Sequence, residues 1–172
     1  MIEIKTAAPA TAHDRRGDSK ELERYAMLRF LVPTDGSEHA LVAVEEVIRL
    51  ASQLAQPVEV LLLNVQPAVP AKFLLLGEGT PSDKRKLEET LRQAGEETLQ
   101  PARALLERAK IAHACHVEIG HAAEIIARFA QSYHCEMIVM ATRGLNAGSG
   151  LLLGSVATKV VHLAEIPVLL VR

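Results

Sequence analysis

The stretch Val58-Glu59-Val60-Leu61-Leu62-Leu63-Asn64-Val65 decides the fold. It is apolar nearly throughout, and a strand buried on both faces belongs to a parallel sheet covered by helices on each side. The run is far short of the ~18 apolar residues that cross a bilayer, and Glu59 and Asn64 interrupt it. Upstream, residues 28–32 form a second short apolar run, bounded by Pro33. Between the two runs Ser37 offers a helix N-cap. Leu41, Val44, Val47, Ile48, Ala51 and Leu54 then recur at helical spacing until Pro57 closes the helix.

Downstream the alternation repeats. A loop containing Pro and Gly spans 66–79. Thr80-Pro81-Ser82-Asp83 reads as a helix start, with Thr as N-cap and Pro at the first helical position. That helix is expected to run to about Ala109, with Pro101 kinking or breaking it. Residues 113–119 read as a strand ended by Gly120, and 122–133 as a helix with Ile125, Ile126, Phe129 and Tyr133 on its apolar stripe. Met137–Ala141 reads as a buried strand, 142–153 as a Gly-rich loop, Ser155–Leu163 as a short helix and Val168–Val171 as a last strand. Strands alternating with helices imply right-handed crossovers. The expected fold is α/β: an open five-stranded parallel sheet with helices on both faces.

Composition narrows the function classes. The 172 residues are 49% hydrophobic, enough for a packed core, but only 3% aromatic with no Trp, so Leu, Val, Ile and Ala must build that core. Few aromatic rings argue against a platform that stacks bases. A net charge of −2 provides no basic field for a phosphate backbone, so no nucleic-acid partner is expected. No membrane segment is expected. Two cysteines cannot make a disulfide framework, and residues 1–26 carry Glu3, Asp14, Asp18, Glu21 and Glu23 where a transit peptide is poor in acids. A cytoplasmic location is the expectation. Residues 1–26 read as an N-terminal tail, flexible or loosely docked, with a short helix near 19–25; the domain proper is 27–172.

Ligands of such sheets bind at the carboxyl ends of the strands, near the point where strand order reverses. Three segments leave those ends with unusual chemistry. In Val32-Pro33-Thr34-Asp35-Gly36-Ser37, Gly36 permits a tight turn. Asp35 there is either a cap of the next helix or a site residue. Ala141-Thr142-Arg143-Gly144-Leu145-Asn146-Ala147-Gly148-Ser149-Gly150 lets backbone approach a ligand closely. Gly154-Ser155 opens the last helix, where unpaired N–H groups favour anions. No G-x-x-x-x-G-K-[ST] is present, and no G-x-G-x-x-G follows the first strand. Those absences lower the prospects of a P-loop ATPase or a dinucleotide-dependent dehydrogenase.

LVPTDGSEHA at 31–40, LLNV at 62–65, EIIARFAQSYHCEMIVMATRGLNAGSGLLLGSVATKVV at 124–161 and the closing IPVLLVR resemble the universal stress protein family over 28–172. ATP-binding members of that family carry G-x2-G-x9-G-[ST]. Gly144, Gly154 and Ser155 match it, and Ala141 stands at the first glycine. The resemblance implies an adenine nucleotide alpha hydrolase-like fold and a site for ATP or a related adenine nucleotide with Mg²⁺. It implies that Pro33, Thr34 and Val65 flank the adenine and Asp35 meets the ribose. It also implies that Met140 and Ala141 lie beneath the nucleoside, and that Arg143, Gly144, Gly154, Ser155 and Val156 surround the phosphates. The extra methyl of Ala141 bears on how closely the ribose can approach.

The function expected is a dimeric stress-response sensor or switch that binds ATP, with at most slow hydrolysis. The alternative is an interaction scaffold that works without nucleotide. A nucleotidyl-transferring enzyme needs a further catalytic loop motif that is not found. The apolar strand Val168–Val171, preceded by Pro167, is expected at a sheet edge, where it pairs with its copy in a homodimer. Ile2 and Ile4 of the tail are the other possible cover. His113, Cys115, His116, His121, His134 and Cys135 lack zinc-type spacing, and adjacent strand residues such as Cys115 and His116 point to opposite faces. Both thiols are expected to be buried and unpaired. Lys84, Arg85 and Lys86 read as a solvated helix face.

Overall fold

Alternation along the strands sorts the core into two layers. The computed structural model describes residues 27–69, 80–144 and 153–172. The tail 1–26, residues 70–79 of the first long loop and residues 145–152 of the Gly-rich loop lie outside the described residues. In β1 (Leu28–Pro33), Phe30 and Val32 join one buried cluster and Leu31 the other; in β2 (Val58–Gln66), Val58, Val60 and Leu62 oppose Leu61 and Leu63 in the same way. The first cluster is closed by α1 (Glu38–Ala51) and α2 (Pro81–Ala109), through Ala43, Val44, Val47, Leu99, Ala102 and Leu106. The second is closed by α3 (Ala122–Ser132) and α4 (Ser155–Leu163), through Ala123, Ile125, Ile126, Phe129, Ala130, Ala157 and Val160. A strand apolar on both faces thus receives helices on both, as parallel sheets require.

With β3 (Ala112–Ile119), β4 (Met137–Ala141) and β5 (Val168–Val171), the sheet has the order β3-β2-β1-β4-β5, parallel throughout. The chain builds outward from β1 to β3, then α3 carries it back across to the other side of β1. Strand order reverses between β1 and β4, so their carboxyl ends form the crevice of the sheet. Registered pairing between them runs through Phe30↔Met137 and Leu31↔Ile138. No described helix is long and apolar enough to cross a membrane.

Several boundaries differ from the sequence reading. α1 stops at Ala51, before Pro57: the Ser52 N–H still donates to the Ile48 carbonyl, but its Oγ donates to the Arg49 carbonyl at 2.6 Å and the Gln53 N–H tightens onto the Leu50 carbonyl at 2.9 Å. Leu54 lies beyond the helix and is exposed. Pro101 does not break α2, which stays helical from Pro81 to Ala109. Pro101 sits on the exposed side, while Gly95, Leu99, Ala102 and Leu106 are buried on the sheet side. Burial of that stripe outweighs the ~3 kcal/mol a mid-helix proline costs. Thr80 and Asp83 form a reciprocal capping box at the start of α2, as its sequence indicates.

The histidine and cysteine residues of β3 divide as strand geometry demands. Cys115 packs against the α1/α2 layer, while the His116 ring lies 4.9 Å from that of Phe129 and 5.2 Å from that of Tyr133 on the other face. Burial lowers the His116 pKa, and Nε2 has no hydrogen-bond partner among the described residues. Cys135 is buried, but Cys115 is only half-buried because β3 is an edge strand. No group of three or more His, Cys, Asp or Glu side chains among the described residues is arranged to hold a metal ion.

Two measurements check this packing. A Cβ built on Gly95 would land on Cγ1 of Val117 and come within 3.0 Å of Asn64 Oδ1. Gly95→Ala should therefore destabilise the protein by ~1–3 kcal/mol in urea unfolding, despite the ~1 kcal/mol helix-propensity advantage of Ala. A more stable variant would contradict the close seating of α2. Burial raises the Cys115 pKa and pushes that of Cys135 up to about 11. At pH 8 without denaturant a thiol reagent should label Cys115 first, with Cys135 protected until the pH approaches 11.

Candidate functional site

Four polar residues are buried among those described: Thr34, Ser37, Asn64 and Thr142. All lie at or just beyond the carboxyl ends of β1, β2 and β4. Interior polarity is costly unless hydrogen-bonded, and here the bonds fold two turns that face each other.

The first turn follows β1. Thr34 N donates to the Leu63 carbonyl at 2.9 Å, continuing the β1–β2 ladder by one residue. Thr34 Oγ1 accepts from Gly36 N at 3.2 Å, and Asp35 Oδ1 accepts from Ser37 N at 3.0 Å. Gly36 has φ +79°, a left-handed conformation that glycine adopts without strain. Ser37, not Asp35, is the N-cap of α1; its Oγ accepts from Ala40 N at 3.2 Å. Asp35 uses one oxygen to fold its own turn, and its other oxygen faces the second turn.

The second turn leaves β4. Thr142 N donates to the Val171 carbonyl, and the Thr142 carbonyl accepts from Gly154 N at 2.7 Å, tying the end of β4 to the start of α4. A Cβ built on Gly144 would land on Asp35 Oδ2, so glycine there lets the Asp35 carboxylate lie against the second turn. Gly154 has an ordinary φ of −70°; a Cβ there would stand 3.3 Å from the Thr142 carbonyl and 3.8 Å from Arg143 Cα. Its smallness serves close approach rather than backbone freedom. Gly154 is the N-cap of α4, which makes Ser155 the first helical residue. The amides of a first helical turn have no intrahelical acceptor, so those of Ser155, Val156 and Ala157 aim outward as an anion-favouring group.

Between the turns lies a cleft of about 290 Å³. Pro33, Thr34, Asp35, Val65, Met140, Ala141, Arg143, Gly144, Gly154, Ser155 and Val156, the residues singled out in the sequence, all line it. Ala40, Leu63, Ala122, Ile126, Thr142 and Ala157 line it as well. Ile126 escaped notice because it lies on the core stripe of a helix, which periodicity cannot tell from a cleft wall, and Ala122 because it was read only as the first residue of that helix. Thr142 had a signal, a hydroxyl at the end of an apolar strand.

The cleft has two chemical ends. Val65, Ala122, Ile126 and Met140 make an apolar wall suited to a flat, weakly polar ring. Gly144, Gly154 and the first turn of α4 make an N–H-rich end, beside the permanently charged guanidinium of Arg143. Among the described lining residues Asp35 is the one carboxylate and Arg143 the one side-chain cation, and none is His, Cys or Lys.

Comparison with known proteins agrees with this architecture. The family model described as "Universal stress protein family" matches residues 27–172. The universal stress protein MJ0531 of Methanocaldococcus jannaschii is 29% identical over 147 residues, covering 84% of this chain and 81% of the relative. The structure of hypothetical protein MJ0577 superposes with a TM-score of 0.70 at 26% identity, covering 84% of this chain and 94% of that one. A universal stress protein in complex with cAMP gives 0.61 at 20% identity, covering 86% and 98%. The universal stress protein from Archaeoglobus fulgidus in complex with dAMP gives 0.56 at 20% identity, covering 84% and 98%. Sheet order, the placement of the glycine turns and the family match lead to one conclusion: this chain belongs to the universal stress protein family.

Proposed function

We propose that the cleft binds an adenine nucleotide, ATP or a close relative, and that the protein acts as a dimeric stress-response sensor or switch. One observation carries the reading: the Asp35 carboxylate and Gly144 meet at the reversal point of the sheet, with the N-terminus of α4 opening beside them. A carboxylate suits ribose hydroxyls, and the amide-rich glycine turn beside an arginine suits phosphate. In this reading Pro33, Thr34 and Val65 flank the adenine, with Val65 offering its backbone groups, and Met140 and Ala141 floor the nucleoside. Arg143, Gly144, Gly154, Ser155 and Val156 gather round the phosphates. The cAMP and dAMP complexes of the fold relatives support an adenine nucleotide as the class.

Mg²⁺ accompanies a triphosphate in this proposal. With Asp35 the one described carboxylate in the cleft, and one of its oxygens holding the Ser37 amide, phosphate oxygens and water would supply most of the ligands. The ion would neutralise phosphate charge. In this reading the Asp35 carboxylate is engaged by the Ser37 amide and the ribose rather than by an attacking water, which favours retention of the nucleotide over rapid turnover. The Ala141 methyl, at a position where the family motif has glycine, is the one feature that favours a scaffold working without nucleotide.

β5 forms one edge of the sheet, with residues 168–171 half-buried. An open apolar edge is a pairing template, and we assign it to an antiparallel contact with a second copy, an isologous interface.

Calorimetric titration with ATP and Mg²⁺ tests the site. Asp35→Ala should weaken binding roughly tenfold or more, the scale of a hydrogen bond to a charged group, with the fold intact by circular dichroism. Gly154→Val should weaken it at least as much by closing the phosphate end. Parent-like affinity in both variants would remove the site from this cleft, and absence of binding by the parent would favour the scaffold. For assembly, a chain lacking residues 1–26 should remain a dimer in sedimentation. A monomer or an aggregate would assign the protection of β5 to the tail.

A further inference from the structure

Asn64 breaks the pattern of the most apolar strand in the molecule. It follows Leu61, Leu62 and Leu63 in β2, is 3% exposed, and points to the α1/α2 side of the sheet, away from the cleft. A buried amide in an apolar strand loses solvation that leucine would not, so it persists where its hydrogen bonds are needed. Its Nδ2 donates to the Thr34 carbonyl at 2.9 Å, across the sheet. Its Oδ1 accepts from Gln66 Nε2 at 2.7 Å, so both ends of the amide are engaged and its orientation is fixed.

Thr34 is the hinge of the first turn. Its carbonyl belongs to the peptide that begins Asp35. Its amide is held by the Leu63 carbonyl and its hydroxyl accepts from Gly36 N. With the Asn64 bond, the peptide joining Thr34 to Asp35 is anchored on its carbonyl side as well, and the direction in which the Asp35 carboxylate leaves the turn is set. α2 backs the arrangement from behind. The absence of a Cβ at Gly95 leaves room for Asn64 Oδ1, and Gly36 lies close against Thr98, whose Cγ2 would be 3.0 Å from a Cβ there.

Resting on the nucleotide reading of the cleft, we infer that Asn64, backed by Gln66, is a positioning residue for ligand binding: it touches no ligand and holds the Asp35 turn in its binding geometry. Specificity for the ribose then depends on an amide on the opposite side of the sheet.

Asn64→Leu removes the donor while keeping the branched side-chain shape, and Asn64→Ala serves if the bulkier first variant does not fold. Two readouts are needed. The first is amide hydrogen exchange of the ligand-free protein by NMR. The variant should exchange several-fold faster at Gly36 and Ser37, with Val60 and Leu62 in mid-strand unchanged. The second is ATP affinity in a double-mutant cycle. Asn64→Leu should weaken binding roughly tenfold when Asp35 is present, the order of one buried hydrogen bond lost. In the Asp35→Ala background it should cost less than twofold.

Equal losses in both backgrounds, or exchange that rises uniformly across β2, would reduce Asn64 to a stabilising residue and overturn the inference. So would unchanged ATP affinity and unchanged exchange in a folded variant. If the parent binds no ATP while exchange at Gly36 and Ser37 still rises selectively, the nucleotide reading fails and the clamp on the turn stands.

Discussion

The carboxylate of Asp35 lying against the Cα of Gly144 is the contact on which the rest of the site depends. It joins the turn after β1 to the turn after β4, at the point where the order β3-β2-β1-β4-β5 reverses. A side chain at 144 would displace the Asp35 carboxylate from its place against the second turn. Beside it the Thr142 carbonyl accepts from the Gly154 amide where α4 begins, and the first-turn residues of α4 line the same cleft as Asp35. The fold supplies the crevice, and these backbone contacts give it a polar end.

Packing and polarity are divided along the strands. The middle of the sheet is a two-sided aliphatic layer in which Leu31, Leu61, Leu62, Leu63, Ile138 and Val139 are inaccessible or nearly so. The described polar residues with buried side chains gather at the carboxyl ends instead. Large-to-small changes in the aliphatic layer cost ~2–5 kcal/mol, so rigidity resides there. The turns above it are held by single hydrogen bonds of ~1 kcal/mol each.

Much of the fold was legible because its signals are local and agree with one another. VEVLLLNV announced a strand buried on both faces, Thr80-Pro81-Ser82-Asp83 a helix start, and Gly144 and Gly154 places where backbone comes close. What misled were features whose meaning is set by distant partners. Pro101 reads as a helix breaker until the stripe packed beneath α2 is known. Cys115 reads as a core residue until β3 proves to be an edge. Ile126 reads as core because a cleft wall and a core stripe share one periodicity. Asn64 stood in the sequence as a mere interruption of an apolar run; its role depends on a carbonyl thirty residues away. That Ser37 rather than Asp35 caps α1 is seen in its Oγ accepting from Ala40 N.

The most direct test is to map an ATP titration onto the amide spectrum of isotopically labelled protein. The account predicts saturable shifts concentrated at Thr34 to Ser37, at Val65, at Arg143 and Gly144, and at Gly154 to Ala157, with the middle of β2 and the exposed face of α2 unmoved. Saturable shifts centred elsewhere, for instance on the groove between α3 and Glu165, would place the nucleotide outside the cleft. Shifts absent at millimolar ATP would contradict nucleotide binding altogether.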